Sequence, residues 1–192
     1  MASLLEKGTD VNLRDSAKSA PLHQAVVAGR QSIVEWLLEK GAMIDAADGN
    51  ENTPLLLSVQ RGFVGISLML VQKGADVNLA NLQRDTPLIG ASYHGNRGLV
   101  AVLLDHGADI NARNSMGLTA LHMAVMGGAV DVIPLLVSKG ADLDAQDGEG
   151  ETPLNKAKTD RLRTMLWQFG ARLEKKDDGA LTGDRDSGKT PN

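Results

Sequence analysis

Residues 119–145 read TALHMAVMGGAVDVIPLLVSKGADLDA, and this stretch decides the fold. Thr119 can cap a helix whose apolar residues follow at once, Leu121-His122-Met123-Ala124-Val125-Met126. Glycines close that short segment, and glycine is the residue that tolerates the left-handed backbone past a helix end. A second helical segment follows, with Pro134 inside it and Lys139 in its last turn, and it ends at Gly140. Pro134 is expected to remove one backbone hydrogen bond and bend that helix. Beyond Gly140 come turn-forming residues in an extended stretch. The unit is therefore helix, tight turn, helix, and a hairpin-like loop.

The same unit recurs at one period. Its opening element stands at Ala20-Pro21-Leu22-His23, Thr53-Pro54-Leu55, Thr86-Pro87-Leu88, Thr119-Ala120-Leu121-His122 and Thr152-Pro153-Leu154, with 33 residues between successive starts. Glycines 8, 41, 74, 107 and 140 keep the same interval, and so do glycines 29, 62, 95 and 128. Three registers sharing one period are a repeat array, in which each unit buries its apolar face against its neighbours. Proline in the first helical turn fits, because its missing N–H would be unpaired there anyway.

Composition agrees and excludes several classes. Of 192 residues, 42% are hydrophobic but only 3% aromatic, so the core is built from Ala, Leu, Val, Ile and Met. The net charge of −4 gives no general grip on nucleic acid, which needs a basic surface. With no cysteine, disulfides, thiolate metal sites and thiol catalysis are excluded. No apolar run approaches the length of a membrane span, and the first residues lack a secretory apolar core.

These motifs resemble the ankyrin repeat family: Thr-Pro-Leu-His opening the first helix, glycine between helices, Leu-Leu before Gly-Ala-Asp, then Val-Asn or Ile-Asn. The resemblance covers residues 1–173 and implies an all-α solenoid of stacked helix-turn-helix units joined by β-hairpin-like loops. The units are a partial repeat at 1–14, full repeats at 15–47, 48–80, 81–113 and 114–146, and a shortened terminal repeat at 147–173. The last is three residues short, and the loss is expected in the turn around Lys158-Thr159-Asp160. Starting inside a second helix, the chain reads as a piece of a longer array. Residues 174–192, with Leu181 as their one large apolar residue, read as a disordered tail or linker.

Candidate chemistry is sparse. Gly183 to Thr190 fits the G-x-x-x-x-G-K-[ST] phosphate-loop string, but Lys175-Lys176-Asp177-Asp178 before it is no strand and only two residues follow. The string reads as chance, or as the edge of a further nucleotide-binding domain. The four histidines, at 23, 94, 106 and 122, show no metal-binding spacing. His23 and His122 occupy the family's Thr-Pro-Leu-His position, which implies a structural role. No cofactor, metal or catalytic residue is expected, and the chain is not read as an enzyme.

The resemblance implies a protein-interaction module that grips a partner protein or peptide along the concave groove and hairpin tips. In the family, the register of Val27, Gln60, Tyr93 and Met126 lies on the concave face, and Ala28, Arg61, His94 and Gly127 come next. The expected binding strip is Tyr93, Met126 and Met123 with Leu82, Met116 and Leu118 on neighbouring tips, edged by Arg61, His94 and Arg113. The alternatives are a structural spacer array inside a larger protein, or a dedicated inhibitor of one enzyme. The array is expected to be monomeric, intracellular, and without nucleic acid or membrane partners. Asn78 and Asn111, after Gly-Ala-Asp, are candidates for the hydroxylation that such asparagines undergo in animal ankyrin proteins; the competing reading is that they cap a turn.

Overall fold

A computed structural model describes residues 10–171. Most of the partial unit at 1–14, and all of the stretch 174–192 with its Gly183–Thr190 string, lie outside the described residues. The described residues form ten helices and no strand. They come as five pairs: α1 (Pro21–Val27) with α2 (Gln31–Glu39), α3 (Pro54–Gln60) with α4 (Val64–Gln72), α5 (Pro87–Tyr93) with α6 (Arg97–Asp105), α7 (Ala120–Met126) with α8 (Ile133–Ser138), and α9 (Pro153–Lys156) with α10 (Asp160–Gln168). The first helices stack on one another in chain order, and α2, α4 and α6 form a second layer behind them. This is an all-α solenoid.

The helices start and stop where local chemistry directs. Thr53, Thr86, Thr119 and Thr152 each accept the backbone N–H three residues on, at 3.2, 3.3, 3.4 and 3.4 Å. Such caps satisfy one of the N–H groups that the first helical turn leaves unpaired. Ala20 has no such oxygen and leaves that cap unmade; the His23 Nδ1 accepts the Ala20 N–H at 3.1 Å, as the His122 Nδ1 accepts the Thr119 N–H at 3.2 Å. The first helices α1, α3, α5 and α7 each end at a glycine with φ near +65 to +70°, Gly29, Gly62, Gly95 and Gly128, whereas α9 ends at Ala157 in extended backbone. The Arg30 N–H then reaches back to the Ala25 carbonyl at 3.0 Å, which closes the helix end.

The core is a ladder at the 33-residue period. Leu22, Leu55, Leu88, Leu121 and Leu154 are at most 1% exposed, and Leu37, Leu70, Leu103 and Leu136 are fully covered. Burying a leucine contributes about 1.5–3 kcal/mol, so this ladder is the main cohesive element. The His23 Nε2 lies 2.8 Å from the Ala46 carbonyl of its own unit and 3.2 Å from the Asn52 carbonyl of the next, and the His122 Nε2 donates to the Glu151 carbonyl of the next unit at 3.0 Å. Burial holds the His122 imidazole below its ordinary pKa, which keeps it neutral for that role. In the second and third units Leu56 and Ile89 replace these histidines and are buried instead.

Two expectations change. Pro134 does not bend a helix: residues 130–132 form turns, α8 begins at Ile133, and the proline sits in its first turn. The cost falls on length, since α8 has six residues where α2, α4 and α6 have nine. The three residues missing from the last unit come from α9, which has four residues against seven in α1, α3, α5 and α7, and not from the turn after it. Residues 157–159 still separate α9 from α10, as residues 28–30 separate α1 from α2.

The hairpin tips carry backbone strain. Lys18, Glu51 and Arg84 adopt φ of +56°, +62° and +59°, where the fourth and fifth tips have Gly117 and Gly150 at +75°. Left-handed backbone costs a residue with a Cβ about 1–2 kcal/mol, partly offset by the smaller entropy it loses on folding compared with glycine. Glu51→Gly should therefore raise unfolding free energy by roughly 0.5–1 kcal/mol, read as a higher urea midpoint. A second defect lies in the core. Ser92 takes the place of Val26, Val59 and Val125 in its register, and its fully buried hydroxyl has no hydrogen-bond partner. Ser92→Val removes the unsatisfied group and adds one heavy atom, giving the side chain that the register carries at 26, 59 and 125, and should add about 1–2 kcal/mol in the same measurement.

Candidate functional site

Each hairpin tip is closed by one side-chain oxygen. Asp15, Asp48, Asn81, Asn114 and Asp147 each accept the N–H groups two and four residues on, all at 2.8–3.0 Å. These closures use the local turn chemistry of Asx residues. One backbone bond then links each tip to the next: Gly49 N–H to the Ala17 carbonyl, Leu82 to Asn50, Ser115 to Gln83, and Gly148 to Met116, at 2.8–3.1 Å. The tips thus form one wall, held at a fixed spacing.

The first helices form the facing wall. Between the two, Ala17, Asp48 and Asn50 from the tips and Gln24, Val27, Leu57, Gln60 and Arg61 from α1, α3 and the turn after it line a cleft of about 580 Å³. Val27 and Gln60 are two and one units before Tyr93 in register, and with Gln24, Asp48, Asn50 and Arg61 the groove at the first two units is polar at its rim. Sequence reading set Gln60 on the concave face but offered none of Gln24, Asn50 and Gln60 for binding, because no single amide in a turn or helix stands out.

The groove turns apolar toward the fourth unit. Tyr93 is 46% exposed, Leu82 54% and Met116 61%, while Met123 and Met126 are half-buried beside them. His94 is exposed and meets the Tyr93 ring edge-on, with centroids 5.7 Å apart. Arg61 is exposed, with one long hydrogen bond to the Val27 carbonyl at 3.4 Å. Backbones approach closely here: a Cβ on Gly127 would stand 2.2 Å from the Tyr93 carbonyl oxygen, so only glycine fits.

Two of the expected strip residues are placed differently. Leu118 is 4% exposed and belongs to the core. It lies on the return arm of the tip, where its N–H and carbonyl both bond Asn114, and the chain turns it inward before the Thr119 cap. Arg113 is exposed, but its guanidinium is committed, donating to the Gln146 carbonyl of the next unit, as Arg14 does to Ala47.

Asn78 and Asn111 are staples between units. The Asn78 Oδ1 accepts the Asp109 N–H at 2.8 Å and its Nδ2 donates to the Gly107 carbonyl at 2.9 Å; the Asn111 Oδ1 accepts the Asp142 N–H at 3.0 Å. Asn12 makes the same pair of bonds to Met43 and Gly41.

At the fifth unit Asp147, Glu149 and Glu151 come close enough to one another to hold a cation. That cation is a side chain: the Lys156 ammonium lies 2.8, 3.0 and 2.7 Å from the three carboxylates. Hydrogen bonds to Asp147, Glu151 and Glu149 hold Lys156 above its ordinary pKa. Burial opposes the charge of Asp147, but Lys156 and the N–H groups of Glu151 and Glu149 outweigh it and keep the carboxyl low.

The period, the paired helices and the tip-to-tip wall settle the family. The profile described as ankyrin repeats, in three copies, matches residues 1–81, 44–114, 70–147 and 88–177. The chain belongs to the ankyrin repeat family. No match to it was found among curated proteins. Ankyrin repeats are generally protein–protein interaction modules and typically not enzymes. No helix among the described residues is long and apolar enough to cross a membrane.

One ankyrin staple is defective in a testable way. Asp45 stands in the register of Asn12, Asn78 and Asn111 and accepts the Asp76 N–H at 3.1 Å. A carboxylate has no N–H to offer the glycine carbonyl that the asparagines bond. Burial, with the nearby Asp76 charge, raises the Asp45 pKa above 3.8. With the folded pKa above the unfolded one, the ionised form destabilises the fold at pH values above the folded pKa, and the penalty fades as pH falls toward 3.8. Asp45→Asn should raise stability at pH 7 by roughly 0.5–1 kcal/mol, the worth of one part-exposed hydrogen bond. The advantage should shrink on approaching pH 4, as measured by denaturant titration at a series of pH values.

Proposed function

We propose that this ankyrin array binds a partner protein in the groove between its tips and first helices, at the third and fourth full units. The observation that carries the reading is the run of exposed apolar groups, Leu82, Tyr93 and Met116, above the half-buried Met123 and Met126. Elsewhere in the groove the rim is polar. Apolar groups gathered in a rigid cleft are what a partner's side chains cover, and binding energy concentrates in a few aromatic or methionine anchors. The wall of tips is pre-organised by its Asx closures, so little ordering opposes association.

Asn78 and Asn111 remain proposed sites of hydroxylation. Their amides are engaged with the next unit, so a modifying enzyme must first loosen that contact.

Tyr93→Ala tests the groove. The side chain lies at the surface, so thermal unfolding should barely change. Affinity for a partner captured with the intact chain should fall by about 2 kcal/mol, some 30-fold in Kd. Unchanged affinity would remove the groove at this unit from the interface.

A further inference from the structure

The groove offers an unpaired cation near one end and an anionic cluster at the other. Moving one unit beyond the apolar strip, Met116 is succeeded in register by Glu149 and Met123 by Lys156. Asp147, Glu149 and Glu151 share the single Lys156 ammonium, which leaves the cluster with a net charge of −2 from three carboxylates and one cation. Asp147 and Lys156 are largely covered, and the excess is displayed by Glu149, whose side chain is 78% exposed. One unit before the strip, Tyr93-His94 is preceded in register by Gln60-Arg61. The exposed Arg61 guanidinium makes no ion pair among the described residues. Asp48 lines the same cleft, but its carboxylate is taken up by the N–H groups of Asn50 and Asn52 and by the Asn52 amide. An apolar middle thus lies between one unpaired guanidinium at the second full unit and an anionic cluster at the fifth.

We propose that the groove takes an extended peptide segment of its partner, with apolar side chains in the middle, an acidic residue toward Arg61 and a basic residue toward Glu149. This rests on the groove being the binding surface and adds the chemistry and orientation of its occupant. Packed helices stand about 8–10 Å apart, so three units separate the charged ends by about 25–30 Å. At about 3.3 Å per residue that is roughly eight or nine residues of extended chain. Opposite charges at the ends orient the segment and reject the reversed one, which would set its acid against Glu149 and its base against Arg61.

The test is selection of peptides of about 15 residues from a random displayed library on the full chain. Winners are measured by fluorescence anisotropy at about 50 and 500 mM salt, where screening differs severalfold in range. Enrichment of an acid and a base about eight residues apart around apolar residues is expected, with affinity falling at high salt. Glu149→Lys should weaken those peptides at least tenfold, Glu149→Gln less, and renewed selection on Glu149→Lys should replace the basic residue by an acidic one. Unfolding curves of both variants, set beside that of the parent, separate lost binding from lost fold. Winners that weaken on Tyr93→Ala but not on Glu149→Lys or with salt would overturn the charge assignment and leave the groove standing. Winners indifferent to Tyr93→Ala would overturn both, and so would a library from which nothing is enriched.

Discussion

The helix pairs among the described residues share their core with their neighbours. Leu37, Leu70 and Leu103 are fully covered where a first helix and a neighbouring unit close over them. That dependence on the neighbour is the constraint from which the other regularities follow. Units can share a face only if they are the same height and turn at the same place, so every cap, glycine and tip must return after 33 residues. The tip-to-tip backbone bonds and the Asn staples at 12, 78 and 111 are the polar counterpart of the leucine ladder. They hold the register that the apolar surface, which is non-directional, would leave loose.

Within that register the chain tolerates local exceptions, and each is compensated in its own way. Where histidine is absent, Leu56 and Ile89 fill the space with apolar volume. Ser67 would be a liability in a buried helix, but its hydroxyl meets that of Ser58 at 2.7 Å. Where Pro134 forbids a longer helix, turns at 130–132 carry the chain and α8 starts later. Asp45, Ser92 and the left-handed Lys18, Glu51 and Arg84 have no such compensation. Stability is therefore uneven along the array, a property to be expected when it sums unit by unit.

The fold was legible because repetition multiplies a weak signal. One Thr-Pro-Leu is a plausible helix start, and three of them with two close variants at one interval are an architecture. The threonine caps and left-handed glycines were legible for the same reason. Leu118 was misplaced because it follows the tip residues directly and was counted with them, and only coordinates show the return arm turning inward. Arg113 was taken for a free edge because the carbonyl it binds is 33 residues away. The Asx closures at 15, 48, 81, 114 and 147 are Asp at three positions and Asn at two, and that change of residue hid a register as regular as the glycines. The salt-bridged lysine was invisible for a different reason: Lys156 joins three carboxylates that are conspicuous only once the tip folds back over α9.

The contact between Gly127 and the carbonyl of Tyr93 divides the freedom of these two positions unequally. The carbonyl belongs to the backbone, so any residue at 93 presents it, and the side chain there can be exchanged without disturbing the stack. Position 127 has no such latitude, because every other amino acid brings a Cβ into that oxygen. A lineage descending from this chain can therefore redesign what the groove holds while the seam beneath it stays unaltered. Specificity and architecture meet at one oxygen atom, yet they drift independently.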